Sequence, residues 1–305
     1  MTKILFIGGR EKGLKTLEEL IKQGGKVSYS YILEEDEHEV EKFSAEIADF
    51  CKKRNIGFTI TKSIKGKEEE IKKLNPDLIV VSGWRTLIPP SVIYIPKLGT
   101  VALHESLLPK YRGFAPINWA LINGEKYTGV SLFYITEGID DGDIIAQEKI
   151  EIGPNETAFE IYKKSINTCV VLIRKYYPLI ISKRASRTKQ NEKEATYLCV
   201  RTPDDGRINW MNSAVNIHNL IRGLSHPYPG AFCFHKGIKI TIQKSEIPKQ
   251  LNWVGRIPGR IVSIKRDFGM EVLTGDGSIL ITSIEVDKKI YNPADYFKSI
   301  KDILV

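Results

Sequence analysis

Short apolar runs alternate with amphipathic stretches through the first two thirds of the chain. Residues 3–7 read as a buried strand, and Gly8-Gly9 gives a turn into a helix where Leu14, Leu17 and Ile21 recur at helical spacing. A strand over 27–33, a helix over about 40–53, a short strand near 58–60 and the apolar run 78–81 continue the alternation. That order predicts a parallel α/β sheet. The strand over 101–103 leads to His104, and the strand over 133–135 leads to the polar loop Glu137-Gly138-Ile139-Asp140-Asp141-Gly142-Asp143. Loops at strand ends are where open α/β sheets bind ligands. A long helix over about 157–177 carries Phe159, Tyr162, Ile166, Val170 and Ile173 on one stripe, which reads as core.

The pattern changes at 183–193, a polar and basic stretch that reads as a linker. After it come a helix around 213–224, the turn Ser225-His226-Pro227-Tyr228-Pro229-Gly230, and strand-like stretches at 238–242, 259–264 and 278–284. Short strands at that spacing suggest a small barrel or sandwich, in which Tyr228 and Phe232 are packing residues. The expected partition is a domain over 1–190 and a smaller one over 191–305, which a chain of 305 residues can accommodate.

Composition narrows the classes. No apolar run approaches the roughly 18 residues needed to span a bilayer. The apolar start is too short for a secretory signal, so a cytoplasmic location is expected. A net charge of +8 raises the prior for an anionic partner, leaving open nucleic acid or a small phosphorylated or carboxylated ligand. Cys51, Cys169, Cys199 and Cys233 lie far apart with no histidine at zinc-ligand spacing, so they read as reduced packing residues, and no metal is expected.

Gly8, Gly9 and Gly13 do not form GxGxxG, and GxxxxGK[ST] is absent, so the first glycines read as a tight turn. The densest polar constellation runs from His104 through Ser106, Lys110, Tyr111 and Arg112 to Asn118 and Trp119, with Asp140 downstream. A histidine at a strand end beside a carboxylate suits general acid/base work, because the carboxylate fixes the imidazole tautomer. A hydrogen-bonded structural histidine and a solvated basic face remain the competing readings.

The stretch 104–116, with its Ser106-Leu107-Leu108-Pro109-Lys110-Tyr111-Arg112-Gly113 run, the later Thr128-Gly129-Val130 and the GxDxG loop at 138–142, resembles the 10-formyltetrahydrofolate-dependent formyltransferases. Arg201-Thr202-Pro203-Asp204-Asp205-Gly206 and His226-Pro227-Tyr228-Pro229-Gly230 extend the resemblance to the family's C-terminal domain. The likeness is nearest to the sugar-modifying branch of UDP-4-amino-4-deoxy-L-arabinose formyltransferases, and more distant to methionyl-tRNA formyltransferases. It implies an α/β fold, a Rossmann-like mostly parallel sheet with flanking helices, plus a smaller C-terminal β-rich, OB-like barrel domain.

The resemblance also implies roles. His104 would assist proton removal from an attacking amine and stabilise the tetrahedral intermediate, while Asp140 holds and polarises His104. Trp84, Thr86, Leu87 and Ile88 on one side and Thr136, Glu137, Gly138, Ile139 and Asp140 on the other would flank 10-formyltetrahydrofolate, the co-substrate. Ser106, Lys110, Tyr111, Arg112 and Asn118 would face the acceptor, a UDP- or dTDP-linked amino sugar amine; helix packing is the competing reading for Trp119. A homodimer stays open.

One position departs from the family, which carries asparagine two residues before the histidine where this chain has Ala102. That amide would donate to the developing oxyanion, and its loss can cost about a hundred- to a thousandfold in rate. Impaired turnover is therefore expected, whether the substitution was introduced or arose in a natural member that replaced the donor. A catalytically inactive binding protein is one alternative. The other is a methionyl-tRNA formyltransferase, against which stands the acidic run over 34–41, repulsive to a phosphate backbone, and for which stands the basic 183–193 segment.

Overall fold

Lys3–Gly8 (β1) is buried along almost its whole length because both faces of a parallel sheet are covered, so the strand reads as an apolar run rather than an alternation. The helix Arg10–Lys22 (α1) follows at once, then Lys26–Leu33 (β2), Ser44–Lys53 (α2), Gly57–Thr61 (β3), Glu68–Leu74 (α3), Leu78–Ser82 (β4), Pro90–Ile93 (α4) and Thr100–His104 (β5). The two-residue bridge Arg112–Gly113 (β6), the helix Pro116–Ile122 (α5), Tyr127–Tyr134 (β7), Ile144–Glu151 (β8), the helix Ala158–Ile181 (α6) and Tyr197–Leu198 (β9) complete this part of the chain. The main sheet has the order β3-β2-β1-β4-β5-β7-β8. Pairing is parallel from β3 to β5 and antiparallel between β5 and β7. The expected mostly parallel sheet with flanking helices is what forms.

The computed structural model describes residues 2–36 and 41–305. It resolves into two compact units, one made of Met1–Gly113, Thr128–Glu151 and Lys163–Leu198, the other of Phe114–Tyr127, Ile152–Tyr162 and Cys199–Val305. The second unit contains Ala214–Leu224 (α7), the strands Ala231–His235 (β10), Ile238–Glu246 (β11), Ile261–Lys265 (β12), Gly269–Leu273 (β13), Ser278–Val286 (β14) and Lys289–Tyr291 (β15), and the short helix Pro293–Tyr296 (α8). Its sheet is antiparallel in the order β10-β11-β14-β13-β12, with β15 on β14. Trp210, Ile217, Ile221, Met270, Val272 and Ile281 lie in one core there. This is the β-rich C-terminal domain the sequence suggested.

Three readings need correction. The helix expected from residue 40 starts at Ser44, and Val40 lies outside the described residues. Its first N–H groups are satisfied from an unexpected place, because the Glu35 carboxylate accepts from Phe43 and Ser44 at 2.7 and 2.9 Å. A carboxylate there also complements the helix dipole. On the α6 stripe Ile166 and Ile173 are buried as expected, but Phe159, Tyr162 and Val170 are half-buried, and Ser165, Cys169 and Leu172 are buried in their stead. Cys51, Cys169 and Cys233 are buried, and burial raises their thiols, but Cys199 is exposed and does not pack.

Chain direction across the sheet reverses between β1 and β4, since β2 lies on one side of β1 and β4 on the other. Such a switch point opens a crevice at the carboxyl ends of the two strands. Here it is closed at its base by backbone, with the Gly9 N–H donating to the Ser82 carbonyl at 3.1 Å. Gly83 has φ +72°, and a Cβ on it would stand 2.1 Å from the Gly9 carbonyl oxygen. Gly83→Ala is expected to lower unfolding free energy by at least the roughly 1–3 kcal/mol of a left-handed non-glycine residue. Urea denaturation at neutral pH reads this directly, and an unchanged midpoint would contradict the tight crossing.

Candidate active site

Strand β5 ends on His104, which is buried, and Ala102 shares its face of the strand because side chains alternate. The Ala102 methyl belongs to an apolar cluster with Val81, Ile88, Leu108 and Phe133. No amide stands where the family places one. His104 Nε2 lies 2.8 Å from the Tyr111 carbonyl oxygen. A carbonyl only accepts, so the ring donates through Nε2. Its other nitrogen, Nδ1, faces Asp140 Oδ2 at 3.6 Å, a close approach longer than a hydrogen bond.

Asp140 holds this place through backbone. Its Oδ2 accepts the Gly113 N–H at 2.8 Å, and its own φ of +49° lies in the left-handed region that Asp adopts more readily than most residues. The loop from Glu105 to Gly113 is stiffened from within: Ser106 Oγ donates to the Lys110 carbonyl at 2.7 Å, and Ser131 Oγ donates to the Ser106 carbonyl at 2.6 Å. Behind the loop, the Lys12 ammonium donates to the Glu105 carboxylate in a largely buried ion pair. Burial works to raise the Glu105 carboxyl, but the neighbouring Lys12 ammonium outweighs it and holds the group below its usual range.

The segment read as a linker forms the back of this site. Thr188 bridges to Ile144, and β9 pairs with β6 in parallel. Between them, Gln190 and Glu192 close on Arg112, whose side chain is only 1% exposed. Its Nε and Nη2 donate to Gln190 Oε1 at 3.1 and 2.8 Å, its Nη1 and Nη2 to the two Glu192 oxygens at 2.9 and 2.7 Å, and its Nη1 to Tyr197 OH at 2.9 Å. All five guanidinium N–H groups are engaged. The guanidinium in turn lowers the Glu192 carboxyl. Thr196 adds two links, accepting the Tyr111 N–H through Oγ1 at 2.8 Å and the Arg112 N–H through its carbonyl at 2.9 Å.

These contacts engage part of the expected acceptor set within the protein. Arg112 is engaged inside the protein and does not present its charge to a ligand. Ser106 is buried with its hydroxyl on Lys110, and Tyr111 contributes backbone, through its carbonyl to His104 and its N–H to Thr196. Asn118 is buried in the second unit, its amide donating to the Gly223 carbonyl at 2.8 Å and tying α5 to α7. Trp119, also there, donates to the Cys199 carbonyl and carries Arg201 over its ring, which is packing. Lys110 is exposed.

The two loops assigned to the co-substrate lie at strand ends of the first unit. After β4, Trp84 packs on the cluster that contains Ala102, with its indole Nε1 shielded and without a hydrogen-bond partner, while Ile88 is buried. Thr86 is exposed, and Leu87 is 80% exposed. Arg85 turns away, donating to the Glu34 carbonyl at 3.1 Å and pairing with Asp36 at 3.0 Å. After β7, Thr136 donates to the Asp141 carboxylate, and Glu137, Gly138 and Ile139 are exposed. Leu87 and Ile139 are exposed apolar side chains, one on each of the two loops. Gln190, Glu192, Thr196 and Tyr197 were not anticipated, and the signal available was a run of hydrogen-bonding side chains, with an aromatic, in a stretch too polar to be core.

An open α/β sheet with a histidine and a carboxylate at its strand ends can bind a ligand at a switch point beside an acid/base pair. The chain belongs to the formyl transferase family, matching the formyl transferase domain over residues 5–169 and the formyl transferase C-terminal domain over 201–301. It is 40% identical over 228 residues to the methionyl-tRNA formyltransferase of Alkaliphilus oremlandii, covering 74% of this chain and 72% of that protein. It is 36% identical over 320 aligned residues to the bifunctional polymyxin resistance protein ArnA of Wigglesworthia glossinidia brevipalpis, covering 99% of this chain and 49% of that relative, about half its length. Among solved structures, the N-formyltransferase from Helicobacter canadensis in complex with folinic acid and dTDP-3-aminofucose superposes with a TM-score of 0.72 at 21% identity, covering 92% of this chain and 99% of that one. That likeness speaks for the fold.

Since the folded Glu105 carboxyl lies below its usual range, the pair's contribution is complete above the unfolded carboxyl pKa of about 4.3 and is lost as pH falls through the folded value. Lys12→Met leaves the carboxylate buried without its counter-ion, at an expected cost of about 3–5 kcal/mol at pH 7. Urea midpoints should show a gap between parent and variant that narrows as pH drops below about 4.3. A gap independent of pH would contradict the assignment.

Proposed function

We propose that this chain acts in the cytoplasm as an N-formyltransferase, moving the formyl group of 10-formyltetrahydrofolate to the primary amine of a nucleotide-linked amino sugar. The amine nitrogen attacks the formyl carbon, the bond from that carbon to the folate nitrogen breaks, and one proton passes from the amine to the departing nitrogen. His104 is the group at the strand end able to carry that proton, and Asp140 balances the charge the ring gains meanwhile. The backbone and side chains of 84–88 and 136–140 bind the folate. Ala102 supplies no donor to the oxyanion, so the reaction runs slowly.

The observation that carries the choice of amine is the acidic connection after β2. Arg85 donates to the Glu34 backbone carbonyl and pairs with the Asp36 carboxylate, so an acidic side chain stands against the loop that follows β4 at the strand ends. A nucleic-acid backbone carries one charge per phosphate and needs cations there. The remainder of the run, Glu37 to Val40, lies outside the described residues. The Helicobacter canadensis enzyme, with folinic acid and dTDP-3-aminofucose in its complex, supports the same class of co-substrate and acceptor. Lys110, exposed on the turn, is the cation for the diphosphate.

Methionyl-tRNA is the second reading, favoured by the 40% identity to a methionyl-tRNA formyltransferase. Release of tetrahydrofolate on mixing with UDP- or dTDP-linked 4-amino sugars, or with methionyl-tRNA, separates the two. Turnover with an amino sugar is expected, and Ala102→Asn should raise it at least tenfold, below the roughly hundredfold that such a donor can supply. Reaction with methionyl-tRNA alone would replace the proposal by the second reading. Binding of sugar nucleotide without turnover in both forms would make the chain a binding protein, and an unchanged rate in Ala102→Asn would mean that the oxyanion donor is filled from elsewhere.

A further inference from the structure

We infer that Gln190 is a positioning residue for the His104–Asp140 pair. The inference rests on the formyl-transfer reading only for its kinetic test. Gln190 sits on the segment between α6 and β9 and uses the whole hydrogen-bonding capacity of its amide. Nε2 donates to the Asp140 carbonyl at 2.7 Å and to the Gly142 carbonyl at 2.8 Å, while Oε1 accepts from Arg112 Nε and Nη2 at 3.1 and 2.8 Å. Two donors and two acceptor sites are all that an amide offers. Arg112 is the residue before Gly113, whose N–H grips the Asp140 carboxylate.

Gln190 therefore holds both ends of one closed loop of contacts. Through Oε1 it fixes the strand residue whose neighbour binds the Asp140 carboxylate, and through Nε2 it fixes the Asp140 backbone itself. That backbone needs holding. Asp140 has φ +49°, a left-handed conformation that a non-glycine residue keeps only where surrounding contacts enforce it. The approach it sets, 3.6 Å between Asp140 Oδ2 and His104 Nδ1, is too long to maintain itself as a hydrogen bond. Glutamate matches glutamine in size and would keep the Arg112 contact, but it places an acceptor oxygen against two carbonyl oxygens. Gln190→Glu thus separates holding Arg112 from holding Asp140, and Gln190→Met removes both.

The test uses the full chain in four forms: parent, Gln190→Glu, Asp140→Asn and the double variant, with Gln190→Met as a second single change. In formyl transfer to an amino sugar, Gln190→Glu is expected to lower kcat up to about a hundredfold, the size of effect a displacement of about 1 Å can have, with KM for both substrates held within about twofold. In the Asp140→Asn background the same change should cost less than about twofold, because a residue acting only through Asp140 has nothing left to act on. Equal costs in both backgrounds would overturn the inference. A second readout needs no substrate: proton–nitrogen NMR correlations of the His104 ring should move in Gln190→Glu and Gln190→Met in the direction that Asp140→Asn moves them. Parental His104 signals in the glutamine variants would overturn the inference even if the amine acceptor were wrong. Loss of folding in both glutamine variants would also overturn it, assigning Gln190 to the fold. Absence of transfer by the parent, with the expected ring shifts, would refute the proposed reaction and leave the positioning role standing.

Discussion

The site depends on one charge-assisted contact, the Gly113 N–H donated to the Asp140 carboxylate at 2.8 Å. It joins the loop after β5 to the loop after β7, so it decides where the carboxylate meets His104. The Gly113 contact is at hydrogen-bond length whereas the 3.6 Å approach of Asp140 to His104 is not, so the place of the carboxylate is set by Gly113 rather than by a hydrogen bond between the two side chains. Glycine is needed at 113 because φ is +102° and a Cβ would stand 2.9 Å from the Leu198 carbonyl oxygen. The conformation that offers the N–H to Asp140 is thus also the one that lets β9 lie alongside.

The parallel strands, the first helix and the two strand-end loops were legible because fully covered strands read as apolar runs and α1 carries a helical stripe. His104 and Asp140 were legible for a different reason, the family motif around them. What escaped was long-range polar pairing. Arg112 looks like a surface cation beside Lys110, and only the fold brings Gln190 and Glu192, some eighty residues away in sequence, onto its guanidinium. Hydrophobic periodicity is blind to such a contact, because the residues that make it are polar on every scale. Likewise Glu35, in an acidic run that the sequence shows only as charge, is a buried cap for α2, a role its neighbours Glu34 and Asp36 do not share.

Ala102 is the point at which motif and packing speak to different questions. The methyl sits well in its apolar cluster, so the fold gives no reason to want an amide there. The proposed formyl transfer does, because a preorganised donor acts on the charge of the transition state and contributes nothing to the packing of the ground state. The unpartnered Trp84 indole N–H packs against the same cluster, one strand over.

Net charge is a poor guide to what this crevice can grip. The total of +8 suggests an anion-binding surface, but the cations nearest the chemistry are already committed. Lys12 is paired with Glu105, Arg85 with Asp36, Arg112 with Glu192, and Arg187 with Asp143 while it also lies 3.9 Å over the Tyr134 ring. A cation with a carboxylate at contact distance presents little outward field, and at physiological salt the remainder decays within about 8 Å. A polyanion spread along the strand-end loops would meet charges that are already paired. The diphosphate of the proposed acceptor would need only one or two local donors, and Lys110 is exposed on the turn after β5. The paired charges near the site hold loops to one another, and that use keeps their field from reaching outward.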